Sequence, residues 1–158
     1  LNRKNKTLFI NCQTNSSNYG FNLFDKYKKA EILCVDEMEL RLNFREKNKK
    51  LENVLKDNLN FFKRYKIFIV TSGSKGCYIV HLNKIKYIPT FFNTTLDTTG
   101  CGDIFFSFFT YLYCEKKYSL DEIAILSHLA AGNHGLTEGN KNVFSKEKFF
   151  QIAQSYIK

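Results

Sequence analysis

Short continuous apolar runs alternate along this chain with longer stretches in which apolar residues recur every three or four positions. Thr7-Leu8-Phe9-Ile10-Asn11, Ile32-Leu33-Cys34-Val35 and Ile67-Phe68-Ile69-Val70-Thr71 are of the first kind and read as strands buried on both faces, as in a parallel sheet. Leu51, Val54, Leu55, Leu59 and Phe62 keep helical spacing, which predicts one amphipathic helix through about Arg64 with a lysine-rich outer face. Cys77 to Leu82 and Lys84 to Ile88 read as a strand and its return, with Pro89 ending the second. Phe105, Phe106, Phe108, Phe109, Leu112 and Tyr113 predict a helix apolar on more than one side, hence deeply buried. Ser119-Leu120-Asp121-Glu122 has capping-box spacing and opens a helix through Ile123, Leu126, Leu129 and Ala130; Ser145 caps a last one carrying Phe149, Phe150, Ile152, Ala153 and Tyr156. The alternation predicts an α/β fold, a doubly wound, mostly parallel sheet flanked by helices, with ligands at the carboxyl ends of the strands. The length suits one domain over residues 1–158.

Composition narrows the class. Hydrophobic residues are 44% and aromatic residues 16%, enough for a packed core and against disorder. A formal charge of +9 could attract nucleic acid or an anionic surface, but the lysines are scattered and no basic tract or nucleic-acid motif accompanies them. Anionic small substrates suit the charge better. The cysteines, Cys12, Cys34, Cys77, Cys101 and Cys114, show no C-x-x-C spacing and read as free thiols of a reducing compartment. No run approaches the roughly 18 apolar residues of a membrane span, and the polar start lacks a secretory signal, so a cytoplasmic address with no membrane partner is expected. The chain opens on Leu1 rather than Met, as part of a longer protein would.

The densest chemistry lies in Leu96-Asp97-Thr98-Thr99-Gly100-Cys101-Gly102-Asp103-Ile104-Phe105-Phe106, a glycine-rich turn running into an apolar helix. Two glycines permit a tight turn and close approach of a ligand, and the first helical amides have no intrahelical acceptor, so an anion such as phosphate fits. Asp103 would sit where a hydroxyl attacking phosphorus needs a base, although an ordinary helix start with a capping Asp accounts for the same residues. Asp36-Glu37-Met38-Glu39 follows the second strand, and acidic residues there suit the positive end of a helix dipole. A tight turn explains the glycines of Thr71-Ser72-Gly73-Ser74-Lys75-Gly76 without any ligand. The polar stretch Cys12 to Asn22 reads as a solvated loop, with Asn11 and Gln13 as candidates for ligand contact. His128 falls inside a helix, where a lone histidine is usually structural, and nothing singles out His81 or His134.

Taken together and in this order, these motifs resemble the ribokinase or PfkB carbohydrate kinases. The family's C-terminal signature, Asp-Thr-x-Gly-Ala-Gly-Asp followed by Phe or a similar residue, is matched from Asp97 to Phe105, with Cys101 for the alanine. That position contributes a backbone amide, so the exchange leaves an anion hole possible. The resemblance implies that Asp103 is the catalytic base and that Gly100, Cys101 and Gly102 form the anion hole. It implies that Glu39 holds nucleotide-bound Mg2+ through water, in an Asn-x-x-Glu motif whose Asn is here Asp36, adding negative charge beside the metal. Thr71, Gly73 and Gly76 match a Thr-x-Gly-x-x-Gly motif that lines the nucleotide pocket, the family pattern sets His128 beside the adenine, and Asp97 and Thr99 fall beside a monovalent-cation site.

The activity implied is ATP-dependent, in-line phosphoryl transfer to a hydroxyl of a sugar or sugar phosphate, with ATP, Mg2+ and K+ as cofactors. The resemblance runs from about Thr7 to Lys158 yet covers only the family's C-terminal half; the other half carries most of the sugar pocket and the lid. The isolated chain is therefore expected to bind nucleotide and to phosphorylate sugars poorly or not at all. Heptose-phosphate kinases, often fused to a nucleotidyltransferase, look nearest within the family, and a homodimer is compatible with it. The contrasting reading is a non-catalytic PfkB-like nucleotide-binding or assembly module of a larger protein.

Overall fold

The computed structural model describes residues 7–14, 17–90, 98–136, 147, 149 and 151. The expected mostly parallel α/β sheet is present, with strands β1 (Phe9–Asn11), β2 (Ala30–Asp36), β3 (Tyr65–Thr71), β4 (Cys77–His81) and β5 (Lys84–Ile88) lying in that order. β1 runs parallel to β2 and β2 to β3, in a register that sets Asn11 beside Cys34 and Asp36 beside Thr71 at the carboxyl ends. β4 turns into β5 through Leu82 and Asn83, both at positive φ (50° and 60°), the geometry of a tight two-residue hairpin. Leu82 is 78% exposed there.

The chain forms two compact units, one of Leu1–Ser72 with Tyr78–Tyr87, the other of Gly73–Cys77 with Ile88–Lys158. In the first, helices α1 (Glu37–Phe44), α2 (Leu51–Asp57) and α3 (Leu59–Phe62) accompany the strands. Leu33, Val35, Phe68 and Val70 share one core with Phe24, Leu40, Val54, Leu55 and Phe62. The intervening strand residues Ile32, Cys34, Ile67 and Ile69 are buried as well, as continuous apolar runs predict. Aromatic rings fill much of this core: Phe62 stacks on Phe68 at 4.3 Å, and Phe24 meets Phe44 and Phe61 edge-on at 5.9 Å. The single helix expected from Leu51 to about Arg64 is instead two, α2 and α3. Asn58 interrupts it at φ −110° and ψ 17°, its side-chain amide donating to the Val54 carbonyl at 2.8 Å. That side chain competes locally for a carbonyl of the helix ladder.

In the second unit, α4 (Cys101–Glu115) and α5 (Leu120–Gly135) form an antiparallel hairpin, Cys101 lying near Ala131 and Phe105 near His128. Lys116 ends α4 in the left-handed conformation, and the predicted capping box starts α5, the Ser119 hydroxyl accepting from the Glu122 amide. The expectation that α4 is deeply buried on several sides needs correction: Phe105, Phe109 and Leu112 form a buried stripe, whereas Phe106, Phe108 and Tyr113 are half-buried. Phe108 packs beside Leu129, Ala130 and Phe149. Glu147, Phe149 and Gln151 are helical, as the last predicted helix requires; its cap Ser145 lies outside the described residues. Among the described residues no helix is long and apolar enough to cross a membrane, and all five cysteines are free thiols.

Candidate active site

In the first unit, parallel register gathers polar groups at the carboxyl ends of β1, β2 and β3. Asp36 ends β2 and caps α1: its Oδ1 accepts from the Glu39 amide at 2.7 Å, and Glu39 Oε2 accepts from the Asp36 amide at 2.8 Å. The helix-start explanation of the Asp36-x-x-Glu39 spacing is therefore realised in full. Glu39 is nevertheless unusual for a capping residue, being only 4% exposed while Asp36 is exposed. Burial pushes its carboxyl up from 4.5 to about 6, with the Asp36 charge adding to the rise, while hydrogen bonds from the Asp36 amide and from Thr14 act against it. Two carboxyl groups so close, with no lysine or arginine among the described residues paired to them, form a donor set that fits a hydrated divalent cation.

Glu37 braces the same edge. Its Oε1 takes two hydrogen bonds from Arg41, at 2.7 and 2.9 Å, and its Oε2 accepts from the Ser72 hydroxyl. Thr71, half-buried at the end of β3, donates its hydroxyl to the Val35 carbonyl at 3.4 Å. Asn11 is half-buried and Gln13 exposed.

In the second unit the motif glycines have different physical reasons. Gly76 is at φ +102°, and a Cβ there would lie 2.2 Å from the Ile88 carbonyl oxygen, so the turn itself demands glycine. Gly73 is at φ +53° in open space. Gly100 caps α4 at φ +78°, and its missing Cβ would meet His134 Nε2 at 3.3 Å. Gly102 is different: it lies inside the first turn of α4, exposed, with no left-handed φ and nothing among the described residues within 4 Å of an added Cβ. Its side is open to an approaching ligand. The Cys101 amide donates to the Thr98 carbonyl at 3.2 Å and the Ile104 amide to the Gly100 carbonyl at 3.0 Å, so the helical ladder of α4 begins at Ile104. Asp103 follows in that turn, exposed. Asp97 lies outside the described residues.

His128 sits on α5, 6% exposed, its ring 4.8 Å from that of Phe105. Among the described residues its Nε2 has no hydrogen-bond partner, and burial lowers the imidazole from 6.5 to about 4, so the ring is neutral at pH 7. His134, which no sequence pattern marked, is brought to the glycine turn, its Nε2 3.2 Å from the Thr99 carbonyl oxygen. Since a carbonyl only accepts, that nitrogen carries the proton. Among the described residues no group of three or more His, Cys, Asp or Glu is placed to hold a metal ion directly.

No curated protein sequence matches the chain. Among solved structures it is similar to ribokinase from Thermotoga maritima (26% identity, TM-score 0.67, 79% of this chain and 42% of that one). It is also similar to Arabidopsis thaliana ribokinase complexed with ribose and ATP (21%, 0.67, 79% and 41%) and to Escherichia coli phosphofructokinase-2 in complex with potassium (17%, 0.70, 85% and 43%). The chain thus spans about two fifths of the length of these structures. The sequence model of the pfkB family carbohydrate kinases matches residues 1–139, a stretch that includes both the sheet edge and the glycine turn, and the chain belongs to that family.

Proposed function

We propose that the protein containing this chain transfers the terminal phosphoryl group of ATP to a hydroxyl of a sugar or sugar phosphate, with Asp103 taking the hydroxyl proton. The observation that carries this reading is the open side of Gly102. Among the described residues neither backbone conformation nor a neighbouring side chain requires glycine there, and glycine costs a helix about 1 kcal/mol relative to alanine, so a ligand's close approach supplies a reason for it. The amides of Gly100, Cys101 and Gly102 would face the phosphoryl oxygens, Cys101 by exchanging its bond to Thr98. Thr71, Gly73, Gly76 and His128 would line the nucleotide site. Glu39, with Asp36, would hold Mg2+ through water; the ion supplies charge neutralisation on the phosphates. Asp97 and Thr99 would border a K+ site. A cytoplasmic location and an acceptor of the heptose-phosphate type belong to the same reading.

Single-turnover release of ADP by the full-length protein, against a panel of sugars and sugar phosphates, tests it. Asp103→Asn should lower the rate about 10²–10⁴-fold with ATP affinity near wild type. Gly102→Ala should keep or raise the melting temperature while weakening turnover. A near-normal rate in Asp103→Asn would leave Asp103 as a helix-start residue and refute the assignment.

A further inference from the structure

The glycine turn that precedes Asp103 is tethered to one turn of α5 at two points. The Cys101 thiol, at the first position of α4, donates to the Ala131 carbonyl at 3.4 Å, and His134 Nε2 donates to the Thr99 carbonyl at 3.2 Å. The two acceptors and donors alternate, each segment giving one of each, so sliding the turn along α5 breaks both bonds. Gly100 lies between the tethered residues, and the space its missing Cβ leaves is bordered by the His134 ring, at 3.3 Å. The contact is therefore specific to a glycine facing a histidine.

The geometry points to His134 as a positioning residue, one that holds the Thr99–Gly100 peptide so that the amides opening α4, and Asp103 behind them, keep a fixed aim. This inference rests on the phosphoryl-transfer reading, and it adds to that reading a residue that touches neither nucleotide nor acceptor. A bond from an imidazole N–H fixes direction as well as distance, because the ring is rigid and its helix is anchored by the buried Ala130 and Ala131. Turnover depends on aim more than binding does: an anion hole acts on charge that develops in the transition state, so a loosened turn lowers kcat before it alters ground-state binding of ATP.

The test compares His134→Leu, which removes the donor, with His134→Gln, whose amide nitrogen reaches about as far as Nε2 and restores it. Hydrogen exchange of the full-length protein is followed over the segment 98–104, whose bonded amides include those of Cys101 and Ile104. Loss of one net hydrogen bond should speed exchange there about fivefold in His134→Leu, with wild-type exchange in His134→Gln. In turnover with MgATP, His134→Leu should lose at least about fivefold in kcat while KM for MgATP stays within about twofold, and His134→Gln should recover it. Unchanged exchange in His134→Leu overturns the tether. Faster exchange with normal kcat overturns the positioning role, since a merely structural contact would behave so. If the wild type turns over no acceptor, the phosphoryl-transfer reading fails instead, while the exchange measurement still decides whether His134 holds the turn.

Discussion

Gly76→Ala is the substitution for which the structure supplies the clearest magnitude. The residue sits at φ +102°, outside even the small left-handed region open to L-residues, and holding alanine there costs about 1–3 kcal/mol. The added Cβ would also lie 2.2 Å from the Ile88 carbonyl oxygen and 2.9 Å from Pro89 Cα, both backbone atoms that cannot rotate away. Forcing them apart adds overpacking of about 1–3 kcal/mol, for a total of about 2–6 kcal/mol. For a chain of this size each kcal/mol shifts the melting temperature by about 2–4 °C, so a fall of about 10 °C is expected by circular dichroism. Gly73→Ala is the internal control, in the same turn, whose Gly76 amide donates to Gly73 at 3.2 Å. At φ +53° and with nothing within 4 Å, it faces the left-handed cost of about 1–2 kcal/mol, partly offset by the stiffer unfolded chain, and should melt within about 4 °C of wild type. Equal losses in the two variants would refute the argument. So would a stable Gly76→Ala that fails only in nucleotide binding, since a ligand and not the turn would then be what requires the glycine.

Three further perturbations test other parts of the structure. Leu82→Asn should raise the melting temperature by a few degrees, because asparagine tolerates the left-handed hairpin position that Leu82 occupies at φ 50° and a largely exposed leucine is lost; an unchanged or lower value counts against the strain. Glu39 titrates higher folded than unfolded, so its ionised form carries a penalty that is absent below pH 4.5 and complete above about pH 6. The stability of Glu39→Gln relative to wild type should therefore improve by about 2 kcal/mol between pH 4.5 and 7.5, and paired melts with a pH-independent gap would sink this account. His128 has the opposite sign, its folded value lying below the unfolded 6.5, so it supports the fold above pH 6.5 and that support is lost as pH falls towards 4. His128→Leu should remove about 3 kcal/mol of acid sensitivity over that window, and a coincident pH dependence would show that another group is responsible.

The strands were legible because burial on both faces leaves little choice but continuous apolar runs, and β2 and β3 extend theirs by three and two residues. The break at Asn58 was not, since the apolar period runs on undisturbed from Val54 and Leu55 to Leu59 and Phe62. A side-chain amide that turns back on a carbonyl leaves no mark on that period. The burial of α4 was overstated because composition tells how apolar a helix is, while the neighbours decide which of its faces are covered. Asp36-x-x-Glu39 shows a different limit: a capping box and a metal-holding motif want the same residue types at the same spacing, and only the burial of Glu39 distinguishes this box from the exposed one at Ser119. His134 was invisible, its partner lying thirty-five positions away and its meeting with Thr99 depending on the phase of α5.

The box at the start of α1 also has an entropic consequence. A glutamate on a surface helix samples many rotamers, and immobilising such a side chain when something binds costs about 0.5–1.5 kcal/mol. Glu39 has already lost that freedom, its carboxylate held by the Asp36 amide and by Thr14 as a condition of the helix beginning where it does. Whatever meets this edge of the sheet meets a charge whose direction was settled during folding, and it can leave again without the edge having to be rebuilt for the next encounter.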